Sequence, residues 1–249
     1  MKKLIWDLPT RIFHWLFVLA VMGAFLIAQI TEKESPQFYF HVIFGVLAGL
    51  LIIWRFFWGF IGSKHIRWDQ FFFKPAEIFN YFLDSLRGKG RYYVGHNPGG
   101  AFISFVLIIL TVFIIITGMA SATDEIFEEL HENLPFLLMG LIGLHVIGVL
   151  IASQKHQVNY ILAMFTGKKK AGGEDQIESS FFISTIIMLV LVFSAWFYFI
   201  AGFDREKAIF IAPGTQWKFQ VGEPEYTDNG LNEIESEEDE GDSLLNEDN

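Results

Sequence analysis

The sequence predicts an all-α integral membrane protein with five spanning helices and an acidic C-terminal tail. Hydrophobic residues make up 52% of the 249 residues and charged residues only 18%, against about 25% charged residues in ordinary soluble domains. Five apolar segments reach the roughly 20 residues that a bilayer crossing needs. The net charge of −10 belongs to the tail, because residues 203–249 hold 14 acidic and 3 basic residues, whereas residues 1–202 hold 14 acidic and 15 basic residues.

The predicted spans follow from the apolar runs in chain order. They are Ile12–Ile30, Phe38–Ile61, Ala101–Ala120, Leu134–Ala152 and Phe181–Phe203. The third and fifth have the composition of plain spanning helices, whereas the first, second and fourth contain histidine, which a lipid-facing anchor avoids. Between the second and third spans, Phe71–Leu86 mixes Phe and Ile with Lys, Glu and Asp. That mixture indicates an amphipathic helix lying in the membrane interface.

The basic residues predict the orientation of the chain. Fourteen of the 18 Lys and Arg fall on one side of the predicted spans, and only Lys33, Arg205, Lys207 and Lys218 fall on the other. Cytoplasmic loops carry the excess of basic residues, so we expect a multi-pass membrane protein with a cytoplasmic N-terminus and the tail on the opposite face. In a bacterium the membrane is then the inner membrane and the tail is periplasmic. The tail is acidic and poor in hydrophobic residues from Glu223 onward, which predicts disorder.

Several functional classes are excluded or disfavoured. The chain contains no cysteine, which removes disulfides, cysteine zinc sites, iron–sulfur clusters and covalently attached haem. The acidic composition disfavours nucleic acid as a partner, and membrane lipid is the expected surrounding. His131-Glu132 begins a zincin-like string, but Pro135 occupies the position of the second histidine. No catalytic residue is predicted.

Four histidines lie within or beside the spans, where ionisable residues are costly and are functional candidates. His14 is near the cytoplasmic end of the first span, His41 near the periplasmic start of the second, and His131 just before the fourth. His145 follows His131 by 14 residues, which is about 21 Å along a continuous helix and on roughly the same face. The four therefore form two layers, His41 with His131 and His14 with His145.

These two layers predict two haem groups. Two imidazoles from different helices, one on each side of a flat ring, form the arrangement that bis-histidine haem b requires. We expect two non-covalent haem b groups, with His14, His41, His131 and His145 as the axial iron ligands. Arg11, one turn from His14, and Arg55, at the cytoplasmic end of the second span, are the expected partners of the haem propionates. Clearance for a macrocycle is expected from six glycines, which bare helix packing also explains: Gly45, Gly49, Gly118, Gly140, Gly143 and Gly148.

The other three histidines have less specific surroundings in the sequence. His65 and His96 fall in predicted cytoplasmic loops and are expected at the surface. His156 follows Lys155 at the membrane edge and is expected to be interfacial, with a quinone site or a propionate site as the alternative.

Seven strings match one family in combination and order. They are WDLPTRIFHWLF (6–17), His41 four residues before Gly45, RFFWGFIGSKHIRW (55–68), GHNPGGA (95–101), LHE (130–132), GLHVIGV (143–149) and NYILAMFTGKKK (159–170). Through these residues the chain resembles bacterial cytochrome b561 and the b-type cytochrome subunit of nickel–iron hydrogenases over about residues 4–170. The resemblance implies a four-helix membrane bundle with two haems b, held by the pairs His14/His145 and His41/His131.

The resemblance also implies a role in a respiratory chain. It implies electron transfer across the membrane between the quinone pool and a periplasmic partner, either a c-type cytochrome or an oxidoreductase subunit. The chain then divides into a dihaem four-helix domain (1–170), a linker with a fifth spanning helix (171–203) and an acidic extramembrane tail (204–249). A flexible anionic tail is suited to steering a Lys-rich cytochrome c, with a solubilising extension as the alternative.

Two other functions remain open at the level of sequence. One is a haem-containing membrane anchor of a peripheral oxidoreductase, without a quinone site of its own. The other is a haem-free histidine transporter for metal ions or protons. The transporter is disfavoured because the five spans contain no acidic residue beside their histidines.

Overall fold

The computed structural model describes residues 1–33, 35–172, 174–204, 209–215 and 217–220. Within these residues the helices are α1 (Leu8–Ile30), α2 (Tyr39–Ile61), α3 (Pro75–Leu86), α4 (Pro98–Ala120), α5 (Glu125–His156), α6 (Tyr160–Thr166) and α7 (Phe182–Gly202). Of these, α1, α2, α4, α5 and α7 are long and apolar enough to cross a membrane. The predicted membrane fold with five spans is therefore confirmed.

Three of the spanning helices, α1, α4 and α5, begin at polar caps that lie outside the apolar runs. Asp7 accepts a hydrogen bond from Thr10 N at 2.9 Å at the start of α1, and Asn97 accepts one from Gly100 N at 2.6 Å at the start of α4. Asp124 caps α5 through Ile126 N at 2.8 Å. Side-chain caps of this kind satisfy the free N–H groups of a first turn. Helix α5 begins nine residues before its predicted span, because an apolar run shows only the part of a helix that lies in the membrane.

The spans pack as two antiparallel hairpins, α1 with α2 and α4 with α5, and α2 also contacts α4. The fifth span, α7, packs against α2 and α1. Trp196 of α7 donates its Nε1–H to the Ile43 carbonyl of α2 at 2.9 Å. The main apolar core joins these helices, and its buried members are Phe13, Ala20, Val21, Leu47, Ala48, Leu51, Leu138, Met188 and Val192.

The predicted interfacial helix is present as α3. It begins at Pro75 rather than Phe71, because Lys74 caps it and the Glu77 side chain accepts the Lys74 N–H at 2.8 Å. Its Phe79 and Phe82 side chains are exposed, as expected of a helix that lies in the interface between water and lipid.

Two small antiparallel sheets stand at opposite ends of the bundle. Strand β1 (Lys2–Leu4) pairs with β2 (Lys168–Lys170). We call this the basic end, formed by residues 1–7, 62–97, 157–172 and 174–181. Strands β3 (Phe203–Asp204), β4 (Ile209–Ile211) and β5 (Lys218–Gln220) form the second sheet. It belongs to the acidic end, formed by residues 31–33, 35–38, 121–124, 203–204, 209–215 and 217–220.

The acidic-end sheet occupies the first part of the segment that the sequence assigned to an extramembrane tail. Phe210 of β4 stacks on Phe199 of α7 with ring centroids 5.2 Å apart. This stacking anchors the sheet on the end of the last span. The predicted disorder from Glu223 onward falls outside the described residues and stays a prediction.

Candidate haem-binding histidines

The histidine pair nearest the acidic end lies between the two hairpins. His41 stands near the start of α2 and His131 in the second turn of α5. The centroids of their imidazole rings are 5.7 Å apart, with an angle of 82° between the ring planes. The structure thus brings together two side chains that the sequence paired by depth alone.

Backbone carbonyls fix the protonation of both rings. His41 donates its Nδ1–H to the Ala24 carbonyl of α1 at 2.9 Å, and His131 donates its Nδ1–H to the Ile114 carbonyl of α4 at 2.8 Å. A carbonyl oxygen only accepts, so Nδ1 carries the proton in both rings and Nε2 keeps its lone pair. A second hydrogen bond of this type is the usual support of a metal-ligating histidine. The donor set therefore fits haem iron.

Gly118 makes room for one ring of this pair. A Cβ atom at Gly118 would lie 2.5 Å from His131 Cε1 and 2.7 Å from His131 Nδ1, so only glycine allows α4 to approach the imidazole this closely. The other five glycines differ from Gly118. A Cβ at Gly49 would contact Ile115 Cδ1 at 3.7 Å, and one at Gly45, Gly140, Gly143 or Gly148 would meet no atom within 4 Å.

The second pair lies deeper, toward the basic end. His14 of α1 and His145 of α5 lie near enough for a charge on one ring to affect the other. The Nδ1 atom of His14 is buried and has no hydrogen-bond partner among the described residues, an arrangement that calls for an explanation such as a ligand. Helix α5 runs without a break from His131 to His145, so the two layers are separated by about 21 Å along its axis.

The two arginines predicted to meet the haem propionates have different surroundings. Arg11 donates from Nε to the Asp7 carbonyl at 3.3 Å and from Nη1 to the Phe165 carbonyl. Arg55 is 3% exposed, and its Nη2 donates to the Ile66 carbonyl at 3.0 Å. The buried Nη1 of Arg55 has no partner among the described residues. One donor of Arg55 is thus available for an anionic group.

The expectation that His65 and His96 lie at the surface is wrong. His65 is 6% exposed and donates Nε2–H to the Asp175 carbonyl at 2.7 Å. His96 donates Nδ1–H to the His65 carbonyl at 3.0 Å, and its ring centroid is 4.2 Å from that of Phe71. Burial, with a smaller contribution from the charge of Arg55, lowers the pKa of His96 to about 3. The loops of the basic end fold over these rings and form a cap.

Lys169 is a second feature of this cap that the sequence analysis missed. Its side chain is 2% exposed, and Nζ donates to the carbonyls of Tyr93 at 3.2 Å and Val94 at 2.8 Å. The ammonium also lies 4.6 Å from the ring centroid of Tyr160. Burial lowers the pKa of Lys169 to about 8. Side chains alternate along a strand, so Lys169 points inward while Lys168 and Lys170 are exposed. This alternation is the one sequence signal that could have predicted the burial of Lys169.

Among the described residues, no group of three or more His, Cys, Asp or Glu side chains is arranged to hold a metal ion by itself. The histidines occur as pairs, which suits a cofactor that supplies the other ligands of its own metal.

Comparison with known proteins decides the family. Residues 5–167 match the family model of prokaryotic cytochrome b561. The chain belongs to this family. The resemblance carried by the seven sequence strings is therefore confirmed. Family membership implies b-type haem and, with the five apolar helices, a multi-pass membrane protein of the electron-transport class.

Curated relatives of this cytochrome b561 chain carry hydrogenase names. A probable Ni/Fe-hydrogenase B-type cytochrome subunit of Rhizobium leguminosarum bv. viciae is 29% identical over 140 residues, which cover 47% of this chain and 58% of the relative. The corresponding protein of Rhodobacter capsulatus is 27% identical, over 47% of this chain and 53% of the relative. The probable Ni/Fe-hydrogenase 1 B-type cytochrome subunit of Escherichia coli (strain K12) is 27% identical, over 49% and 60%. The chain thus spans little more than half the length of these relatives. No solved structure matches it significantly.

Proposed function

We propose that this cytochrome b561 chain holds two haem b groups and carries electrons across a bacterial inner membrane, between the quinone pool and a periplasmic redox partner. The observation that carries the proposal is the His41/His131 pair, whose rings stand 5.7 Å apart and whose Nδ1 atoms are both held by backbone carbonyls. A bound haem supplies reversible one-electron chemistry, and bis-histidine ligation leaves no open position on the iron.

The residues of the chain divide this task by depth. His41 and His131 hold one haem near the acidic end, and His14 and His145 hold the other toward the basic end. The separation of about 21 Å along α5 covers most of the roughly 30 Å hydrocarbon core. Arg55, with its unpartnered buried Nη1, neutralises a propionate at the basic end, and Arg11 lies one turn from His14.

The direction of insertion follows from the charge distribution. The basic end faces the cytoplasm and the acidic end the periplasm. The partner at the periplasmic face is a soluble or peripheral redox protein, and the names of the relatives favour the catalytic subunits of a Ni/Fe hydrogenase. A c-type cytochrome is the other candidate. Quinone binds near the His14/His145 pair.

Haem content tests the ligand set. The purified chain should show about two haems b in a pyridine haemochrome assay, with sharp b-type bands in the reduced-minus-oxidised spectrum. His14→Ala, His41→Ala, His131→Ala and His145→Ala should each leave about one haem, and His156→Ala should leave two. Full haem content in all four single variants would overturn the ligand set.

Reduction by quinol separates an electron conduit from a membrane anchor. In vesicles, added quinol should reduce both haems of the wild-type chain. Variants at His14 or His145 should block reduction of the remaining haem. If the haems of the wild-type chain stay oxidised in the presence of quinol, the chain is a haem-containing anchor.

A further inference from the structure

The small sheet at the basic end concentrates positive charge. Five of the six residues of β1 and β2 are lysines, and Lys2 stands directly opposite Lys170 and Lys3 opposite Lys169. Like charges placed directly opposite each other on two strands destabilise the pairing. Backbone carbonyls partner Lys169, but the repulsion between Lys2 and Lys170 would be relieved by an anion bound at the sheet.

In the part of the chain that the structure describes, no acidic side chain forms an ion pair that offsets this repulsion. Within the described residues, the ion pairs join Lys33 to Glu128 and Glu132, and Arg67 to Asp69, and none involves the five lysines. The Asp175 carboxylate lies beside Gly172 without an ion pair to a described cation.

A further cation lies close to the sheet without a partner. Lys155, in the last turn of α5, has a buried Nζ with no hydrogen-bond partner among the described residues. The Tyr92 ring centroid lies 5.6 Å from that of His156, which follows Lys155, and 5.7 Å from Lys169 Nζ, which places these groups in one region. A buried ammonium without a partner is costly, so the region is short of negative charge.

A cavity of about 500 Å³ opens beside the lysine sheet. Its polar walls come from Lys170, His156 and Tyr92, whose hydroxyl donates to the Lys170 carbonyl. Its apolar walls come from Met1 and from the Val94 and Val158 side chains. A space lined by one lysine, two other polar side chains and aliphatic groups suits an amphiphilic anion.

The surroundings place this cavity at the membrane surface. Helix α6 follows α5 directly and exposes Ile161, Leu162 and Phe165, which are suited to lipid rather than water. Because β2 begins two residues after α6 ends, the lysine sheet lies at the level where phospholipid headgroups meet the acyl chains.

We propose that the cavity and the lysine sheet bind the phosphate headgroup of an anionic phospholipid in the leaflet that faces the basic end. Lysine acts as a point charge toward phosphate, and basic pockets at the ends of spanning helices on the cytoplasmic side recognise such headgroups. Lys2 and Lys170 hold the phosphate, and the aliphatic wall receives the glycerol and the upper acyl chains. This site is independent of the proposed haem pairs.

Lipid-dependent stability of the full chain tests the site. In detergent, titration with dioleoyl phosphatidylglycerol should raise the thermal unfolding midpoint, whereas dioleoyl phosphatidylcholine and inorganic phosphate should not. The double variant Lys2→Gln/Lys170→Gln should need about tenfold more phosphatidylglycerol for the same shift. The double variant Lys64→Gln/Lys74→Gln removes the same charge from exposed positions of the basic end outside the sheet, and it should respond as the wild type does.

Each contrary result overturns a defined part of the proposal. Equal shifts with inorganic phosphate would replace the lipid by a free anion. Equal weakening in both double variants would show attraction by the net charge alone rather than a site. An unchanged response in Lys2→Gln/Lys170→Gln would remove the lysine sheet from binding altogether. Unchanged helical circular dichroism in that variant shows that the fold is intact.

Discussion

The acidic end and the basic end of the bundle use polar groups in opposite ways. At the acidic end, two histidines hold their Nδ1 protons on backbone carbonyls and keep their Nε2 lone pairs free. At the basic end, Asp7, His65 and Lys169 are buried and His96 is partly buried, and all four have backbone or side-chain partners inside the chain. The two histidines of the acidic end are thus set out for a ligand, whereas these four side chains of the basic end close the bundle.

Because of this difference, substitutions at the two ends should change different properties of the protein. Substitutions in the cap should act mainly on the free energy of unfolding, because its polar groups satisfy each other. Substitutions around His131 should act mainly on cofactor content.

Asp7→Ala should produce the largest loss of stability. The buried carboxylate accepts from Thr10 N at 2.9 Å, from Trp58 Nε1 at 3.2 Å and from Ser63 N at 3.2 Å, and its removal leaves three buried donors unsatisfied. We expect a loss of about 3–5 kcal/mol, measured as chemical or thermal unfolding in detergent. Asp69→Ala, at an exposed position, is the control. Equal losses in the two variants would contradict the assignment of Asp7 to the cap.

Gly118→Ala should remove a haem at a smaller cost in stability. The new methyl group would lie 2.5 Å from His131 Cε1, so either the ring or α4 has to move, at about 1–3 kcal/mol. We expect haem content to fall from about two to about one per chain. Gly140→Ala, whose methyl would meet no atom within 4 Å, should keep both. Two retained haems in Gly118→Ala would show that the His131 ring position is not needed for ligation.

Acid should weaken the cap through His96. Its pKa is about 3 in the folded chain, because of burial and then the charge of Arg55, against about 6.5 when unfolded. The unfolded chain therefore binds more protons between these values. The contribution of His96 to stability is constant above about pH 6.5 and falls below it, by about 1–2 kcal/mol at pH 5. Unfolding midpoints between pH 7.5 and 5 measure the slope, which should flatten in His96→Gln. An equal slope in that variant would assign the effect to other groups.

Lys33→Met should have the smallest effect. Lys33 Nζ lies 2.7 Å from Glu128 Oε1 and 2.7 Å from Glu132 Oε1, but about half of the Lys33 side chain is exposed. Exposed ion pairs contribute less than about 1 kcal/mol and are screened by salt. The difference in unfolding midpoint from the wild type should therefore vanish in 1 M NaCl. A difference that persists there would show that this link between the first loop and α5 is made by packing.

The sequence predicted best what depends on counting along a helix. The layers of His41 with His131 and of His14 with His145 follow from depth along spans, and the five spans follow from apolar length. The burial of His65, His96 and Lys169 depends on how loops 62–97 and 157–181 fold over the bundle, which no periodicity describes. The sheet β3–β5 was missed for a similar reason. Its strands are two or three residues long, and a stacking contact between Phe210 and Phe199 anchors it.

The acceptors behind the two acidic-end histidines have a consequence for how the chain tolerates change. Ala24 and Ile114 each lie 17 residues before the histidine whose hydrogen bond they accept, on the preceding helix of the same hairpin. Both contribute a main-chain oxygen, which no side-chain replacement deletes. The two hairpins therefore share one geometry although their sequences differ. A substitution at Ala24 or Ile114 should leave the imidazole tautomer unchanged as long as the helix keeps its position. A substitution can disturb these histidines by changing the spacing between helices, as at Gly118, but not by removing the acceptor oxygen.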